Sequence, residues 1–262
     1  MNTTSVTSEP IRVGLFNLAQ TASTFGTLYD LKERIAAHIA LLKGVRIGFF
    51  LEARTSEGFE ELQNYCKSNG FQTQRFTNND TELSMGIYLV TRADDSFELV
   101  ETKCFWHAGE NNKRFPDNAW GTIGVLATFK RANGSLFSVI ATQFPHSVAN
   151  KRMALQSCLK MVPDHETIIL ADANTFADTP EEEEFMEEVL NCGTPLLKEG
   201  TWLGWEKDYP IPNGTVGKQL DHAIAFNGLK ASVQVETGEQ LAESENNFRF
   251  SDHAALIVTL EE

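Results

Sequence analysis

The run Ile11-Arg12-Val13-Gly14-Leu15-Phe16 is short and mostly apolar, and a polar residue, Asn17, closes it. That pattern predicts a strand with an amide at its end. Leu28, Leu31, Ile35, Ile39 and Leu42 then recur at spacings of three and four, which predicts a helix over 28–42 with one apolar face. A second apolar strand, Ile47 to Leu51, runs into Glu52. Phe59, Leu62, Tyr65 and Cys66 mark the inner face of a helix over 57–69, with Gly70 as its stop. From there the period changes. Residues 71–76, 85–91, 97–103, 122–131 and 136–142 read as successive strands, with Asn133-Gly134 as a hairpin turn between the last two.

A helix over 148–161 follows, then a buried strand over 168–171 that ends at Asp172. Thr179-Pro180-Glu181 opens another helix: a capping hydroxyl, a proline at the first position, and acids facing the positive end of the dipole. The acidic run from Glu181 to Glu184 therefore reads as a solvated helix start. The last third predicts strands over 219–226, 231–235 and 254–260. Helices alternate with strands at both ends of the chain, and hairpins fill the middle. This suits an α/β architecture of two mixed sheets packed face to face with helices outside, and active residues on loops at one end. The expected organisation is a loose tail over 1–10 and one domain over 11–262.

Composition narrows the class. The chain has 262 residues, enough for one sizeable core, and 42% are hydrophobic, with 18 Phe as bulky core material. No apolar run reaches the roughly 18 residues of a membrane-spanning helix. The first ten residues are polar and lack the apolar segment of a secretory signal, so a cytoplasmic location is expected, with the nucleus also compatible. A net charge of -14 argues against broad affinity for a nucleic-acid backbone. Four cysteines without a CxxC point to free thiols rather than a zinc site.

The chemistry lies at the ends of the apolar runs. Asn17, Glu52, Asp172-Ala173-Asn174, Asp221-His222 and Ser251-Asp252-His253 supply oxygen ligands and imidazole. A hard cation and a phosphate ester need that inventory. Glu52 and Asp252 would serve as ligands. Asp172 could orient or deprotonate water, and Asn17 and Asn174 could hold phosphate oxygens. His253 could bind or protonate phosphate, with Asp221 fixing its tautomer.

In this order the segments Val13 to Asn17, Phe50 to Glu52, Ile169 to Asn174, Gln219 to Ile224 and Phe250 to Leu256 resemble the endonuclease/exonuclease/phosphatase superfamily of magnesium-dependent phosphoesterases. The resemblance implies a four-layer α/β sandwich. It implies a Mg2+ site (Mn2+ in its place at need) held by Glu52, with Asn17 and Asp252 near it. It also implies Asp172 and Asn174 acting on nucleophile and phosphate, and Asp221 with His253 beside the scissile phosphate. Thr142-Gln143-Phe144-Pro145-His146 followed by Lys151-Arg152 is similar to a subgroup motif of Thr-His-Phe-Asp-His before an Arg-bearing helix. Gln143 stands where that motif has His, and Gln carries neither charge nor a transferable proton. His146 remains as a substitute, and Arg152 is a candidate phosphate clamp. Trp202 and Trp205 resemble aromatics near the family's site and could stack on substrate. Phe105-Trp106-His107 falls between predicted strands, as a substrate lid or a surface loop pinned by aromatics. The implied activity is hydrolysis of a phosphodiester, nuclease-like, by in-line attack of water. The alternatives are a phosphatase for a small or lipid-like phosphate, and a binding module that kept the fold. The partner is then a phosphate ester, nucleic acid or small molecule, with no membrane span.

Overall fold

The computed structural model describes residues 10–18, 31–53, 57–77, 86–92, 96–107, 123–197, 200–201, 219–236, 251 and 253–261. Their elements run β1 (Arg12–Asn17), α1 (Leu31–Leu42), β2 (Ile47–Leu51), α2 (Glu57–Ser68), β3 (Phe71–Thr77), β4 (Gly86–Arg92), β5 (Phe97–Trp106), β6 (Ile123–Arg131), β7 (Leu136–Gln143), α3 (Val148–Met161), β8 (Glu166–Asp172), α4 (Pro180–Asn191), β9 (Thr194–Pro195), β10 (Asp221–Phe226), β11 (Ala231–Glu236) and β12 (Ala255–Leu260). Residues 1–9 of the tail expected over 1–10, and residues 28–30 of the first expected helix, lie outside the described residues.

The strands form two six-stranded sheets, ordered β11-β12-β1-β2-β4-β3 and β5-β6-β7-β8-β10-β9. Each sheet contains one parallel pair, β1 with β2 and β7 with β8, and all its other pairs are antiparallel. A parallel pair needs a crossover, supplied between β7 and β8 by α3, while α1 lies between β1 and β2 in the chain. The sheets stack with β2 against β7, β4 against β6 and β10 against β12.

Why the central strands read as continuous apolar runs is now plain. β2, β7 and β8 are covered on one face by the opposite sheet and on the other by helices, so neither face can be polar. Between the sheets, Phe129 stacks on Phe137 at 5.0 Å, and Phe97 meets Phe129 edge-on at 5.6 Å. Behind the first sheet, Phe16, Phe50 and Tyr88 pack against Ile35, Phe59 and Leu62 of α1 and α2. Behind the second, Ile140, Ile169 and Ile224 pack against Leu155, Phe185 and Val189 of α3 and α4. The result is the expected four layers. Gly134 adopts φ +88° in the hairpin between β6 and β7, a conformation that glycine reaches without steric cost.

Burial also fixes three histidines in the neutral form. His38 and His222 are pushed down to about 4, and His107 to about 3, each chiefly by removal from water. An unfolded imidazole takes a proton near 6.5, so stability is complete above that value and falls as the pH drops below it. Each group costs up to about 1.4 kcal/mol per pH unit in that window. Asp172, whose pKa is raised, works in the opposite sense and cancels one of the three. The net expectation is a loss of about 2 kcal/mol per unit between pH 6 and 5, or a fall of roughly 4–8 °C in Tm. Thermal melts at pH 7.5, 6 and 5 in EDTA check it; a flat Tm across that range would mean the three rings are not buried neutral.

Candidate active site

The carboxyl ends of the two parallel pairs face each other across the sandwich. Asn17 ends β1 and Glu52 follows β2; Gln143 ends β7 and Asp172 ends β8. The open ends of parallel strands are where α/β sheets place ligands.

Asp172 is the centre. It is fully buried, and its Oδ1 accepts the backbone N–H of Asn174 at 3.0 Å. Its Oδ2 accepts two amides, Asn17 Nδ2 at 3.1 Å and Gln143 Nε2 at 3.0 Å. The same Gln143 Nε2 donates to Glu52 Oε1 at 2.9 Å, and Asn17 Nδ2 reaches that oxygen at 3.3 Å. Two amides thus tie a carboxylate of one sheet to a carboxylate of the other. Burial first, then the nearby charges of Asp221 and Glu52, raise the Asp172 pKa against the pull of His253.

Asp221, at the start of β10, is directly opposite Asp172 in register. Its backbone N–H donates to Thr201 Oγ1 at 2.8 Å, which fixes the strand entry. His253 Nδ1 lies 2.9 Å from Asp221 Oδ2, an Asp-His pair in which the ring donates from Nδ1. That leaves Nε2 facing Asp172, 3.9 Å from its Oδ2. Asp172, Asp221 and His253 offer ligand atoms within 4.8 Å of one another.

Two of these residues sit in the left-handed region, Glu52 at φ 55° and Asn174 at φ 49°. Asparagine enters that region readily; glutamate does so at a cost of about 1–2 kcal/mol, a strain that functional sites tolerate. The turn at Asn174 is held on every side. Its side-chain Nδ2 donates to Phe144 O at 2.8 Å, and its carbonyl accepts Lys151 Nζ at 2.6 Å. The Asn174 amide is therefore engaged with the scaffold.

Not every expected residue joins this network. Arg152 extends away from it, to Glu188 at 2.8 Å and Glu184 at 3.0 Å on α4. The adjacent Lys151 is the cation that points inward; it is wholly buried and pairs with Glu182 Oε1 at 3.2 Å. Burial lowers its pKa, and Glu182 and Asp172 oppose that. Glu182 also accepts Asp178 N at 3.2 Å, so part of the acidic run is structural rather than a solvated helix start. Lys151, Ala154, Leu155 and Cys158 form the buried stripe of α3, spaced i, i+3, i+4 and i+7, and that periodicity was the sequence signal for Lys151 over Arg152. His146 is exposed; partial removal from water, then the Lys151 cation, lower its pKa against the pull of Glu52. The pair Asp221-His222 is buried rather than a surface feature. Phe105 and Trp106 belong to the end of β5, so they are strand and not loop. Asp252, Trp202 and Trp205 lie outside the described residues, although Ser251 and His253, which flank Asp252, are buried.

Solved structures match this arrangement of sheets and helices over nearly the whole chain. An endonuclease/exonuclease/phosphatase from Bacteroides vulgatus has a TM-score of 0.72 at 18% identity, covering 97% of this chain and 99% of that one. The chain has the endonuclease/exonuclease/phosphatase fold. The mannosyl-6-phosphatase Bt3783 of Bacteroides thetaiotaomicron follows at a TM-score of 0.66 and 14% identity, over 96% of this chain and 100% of that one. TDP2 of D. rerio, solved with a single-strand DNA product, gives 0.66 at 11% identity, over 97% of this chain and 100% of that one. No protein-family model matches the sequence, and no curated protein matches it. Among the described residues, no helix is long and apolar enough to cross a membrane.

Proposed function

We propose that the chain is a divalent-metal-dependent phosphoesterase that hydrolyses a phosphodiester by in-line attack of water. One observation carries the reading. The Gln143 amide joins Glu52 and Asp172 across the two sheets, beside an imidazole backed by Asp221. The donors are hard oxygens with one imidazole and no thiol, a set that fits Mg2+, with Mn2+ able to replace it. Glu52 and Asn17, with Asp252, would hold the ion. Once bound, the cation would neutralise a non-bridging phosphate oxygen.

The residues of the chain do the rest. Asp172 takes a proton from water: Oδ1 is held by the Asn174 N–H and Oδ2 by the Asn17 and Gln143 amides, which aim the carboxylate, and its raised pKa suits it to that task. His253 donates from Nε2 to a phosphate oxygen or to the leaving oxygen, and Asp221 stabilises the imidazolium. Gln143 orients both carboxylates with its two amide hydrogens and supplies no proton. His146, at the mouth near Glu52, is the second candidate donor.

The test is hydrolysis of bis-p-nitrophenyl phosphate with Mg2+. Glu52→Ala should raise the Mg2+ concentration for half-maximal rate about tenfold or more, with partial rescue by excess Mg2+. No rescue would remove Glu52 as a ligand. If the native chain binds metal yet cleaves no phosphate ester, the binding-module reading replaces the enzyme.

A phosphatase acting on a small or lipid-like phosphate is the second reading, favoured by the net charge of -14. Salt separates the two: affinity for a nucleic-acid strand falls steeply with added salt, and affinity for a small phosphate does not.

A further inference from the structure

Thr201 is wholly buried, and none of the hydrolytic roles assigned above falls to it. Its hydroxyl oxygen accepts two backbone donors, Leu220 N at 3.0 Å and Asp221 N at 2.8 Å. A hydroxyl has two acceptor sites, and both are filled. The backbone carbonyl of the same residue accepts Ala254 N at 2.7 Å. One residue therefore holds two segments that lie far apart in the chain.

Those segments carry the two halves of the Asp-His pair. Asp221 opens β10 of the second sheet. Ala254 follows His253 and leads into β12 of the first sheet. The bond from His253 Nδ1 to Asp221 Oδ2, at 2.9 Å, thus crosses from one sheet to the other. β10 and β12 are not paired with each other, so no ladder of backbone bonds sets its length. Thr201 supplies a tie instead, through Oγ1 to the β10 arm and through its carbonyl to the β12 arm. The tie also reaches the general base. Leu220 O accepts Ala173 N at 2.7 Å, and Asp221 stands opposite Asp172 in register.

We infer that Thr201 is the positioning residue of the Asp221–His253 pair: it sets where the carboxylate meets the imidazole, and acts on the phosphate through that imidazole. This rests on the phosphoesterase reading above. The two arms of the tie are separable. The bond to Ala254 belongs to the backbone and outlasts a change of side chain. The bonds to Leu220 and Asp221 depend on Oγ1 alone. Thr201→Val keeps the shape of the side chain and removes that oxygen, which leaves two buried N–H groups without a partner. The first residue of β10 must then shift to recover a partner, and Asp221 moves relative to His253. Thr201→Ser keeps the oxygen and loses only a methyl group.

The experiment compares the native chain with both variants by two readouts. The first is the proton spectrum without metal, in which the buried Nδ1–H of His253 gives a downfield exchangeable signal, identified by its loss in His253→Gln. The second is kcat and KM on bis-p-nitrophenyl phosphate at saturating Mg2+. Thr201→Val should lose or shift the Nδ1–H signal and lower kcat by about tenfold to a hundredfold, with KM within about twofold. Thr201→Ser should keep the signal and a kcat within about threefold of native. A native signal with native kcat in Thr201→Val would overturn the assignment, and so would equal losses in the two variants. If the native chain cleaves no phosphate ester, the phosphoesterase reading fails, and the signal alone decides the role of Thr201. If Thr201→Val does not fold, amide hydrogen exchange of the native chain decides. Leu220, Asp221 and Ala254 should then share one protection factor within about tenfold, because one residue holds all three; a wider spread refutes the tie.

Discussion

Asp172→Asn lowers kcat on a phosphodiester by about a thousandfold and leaves the protein folded, with only a small change in stability. The rate effect follows from chemistry: a positioned general base contributes typically 10²–10⁴, and an amide cannot accept the proton. The stability effect follows from burial. Asp172 is wholly removed from water and lies beside Asp221 and Glu52, which raise its pKa; the charged form is therefore a cost to the fold. Asparagine keeps the shape, and its carbonyl oxygen can still accept the Asn174 N–H, but its NH2 would then face the Asn17 and Gln143 amides that Oδ2 accepts now, so lost hydrogen bonds offset the relieved charge. Lost activity without lost folding is the mark of a carboxylate that serves the chemistry. The measurement is kcat with saturating Mg2+ alongside a thermal melt. Native-like turnover in the variant would take Asp172 out of the mechanism. A collapsed Tm with lost activity would mean that its carboxylate serves the fold.

Lys151→Met acts on stability first. Methionine fills the space of the lysine stem but removes the donor of two bonds, to Asn174 O at 2.6 Å and to Glu182 Oε1 at 3.2 Å. Removing one partner of a buried pair costs about 3–5 kcal/mol. The Glu182 side chain is 17% exposed and recovers some hydration, so about 2–3 kcal/mol is expected, or a fall of roughly 4–12 °C in Tm. The Asn174 turn loses its clamp at the same time, and kcat falls with it. Adding Glu182→Leu to Lys151→Met should return part of the stability, because an apolar pair replaces an orphaned carboxylate. Arg152→Met, by comparison, breaks only ion pairs that water already screens, and its Tm should stay within about 2 °C. Equal Tm values for the two variants would contradict the buried role of Lys151.

The contrast between those neighbours shows how far the sequence could be read. The elements were legible because burial leaves a periodic trace. The predicted helix over 148–161 is α3 to the residue, and Thr179 caps α4 by accepting Glu182 N at 3.3 Å. The strand ends were legible too, since Asn17, Glu52, Asp172 and Asp221 each interrupt or open an apolar run. Roles within the site were less so. Gln143 reads in sequence as a lost histidine; in space it is the amide that joins two carboxylates. Glu182 reads as one acid in a solvated run; in space it accepts the Lys151 ammonium. The two-residue strand β9 left no pattern to read, because two residues hold no period.

Alone, the chain of residues determined the local order: which segments are strands or helices, and which polar groups stand at their ends. Periodicity is set by backbone geometry within a few turns or pleats, so it survives without any partner. The tertiary structure decided which of those ends meet. Asn17 and Asp172 are 155 positions apart and 3.1 Å from bond to bond, and Asp221 and His253 are 32 apart and 2.9 Å. Such pairings depend on strand order and on the way the two sheets stack, through the packing of many side chains at once, and no single segment encodes them.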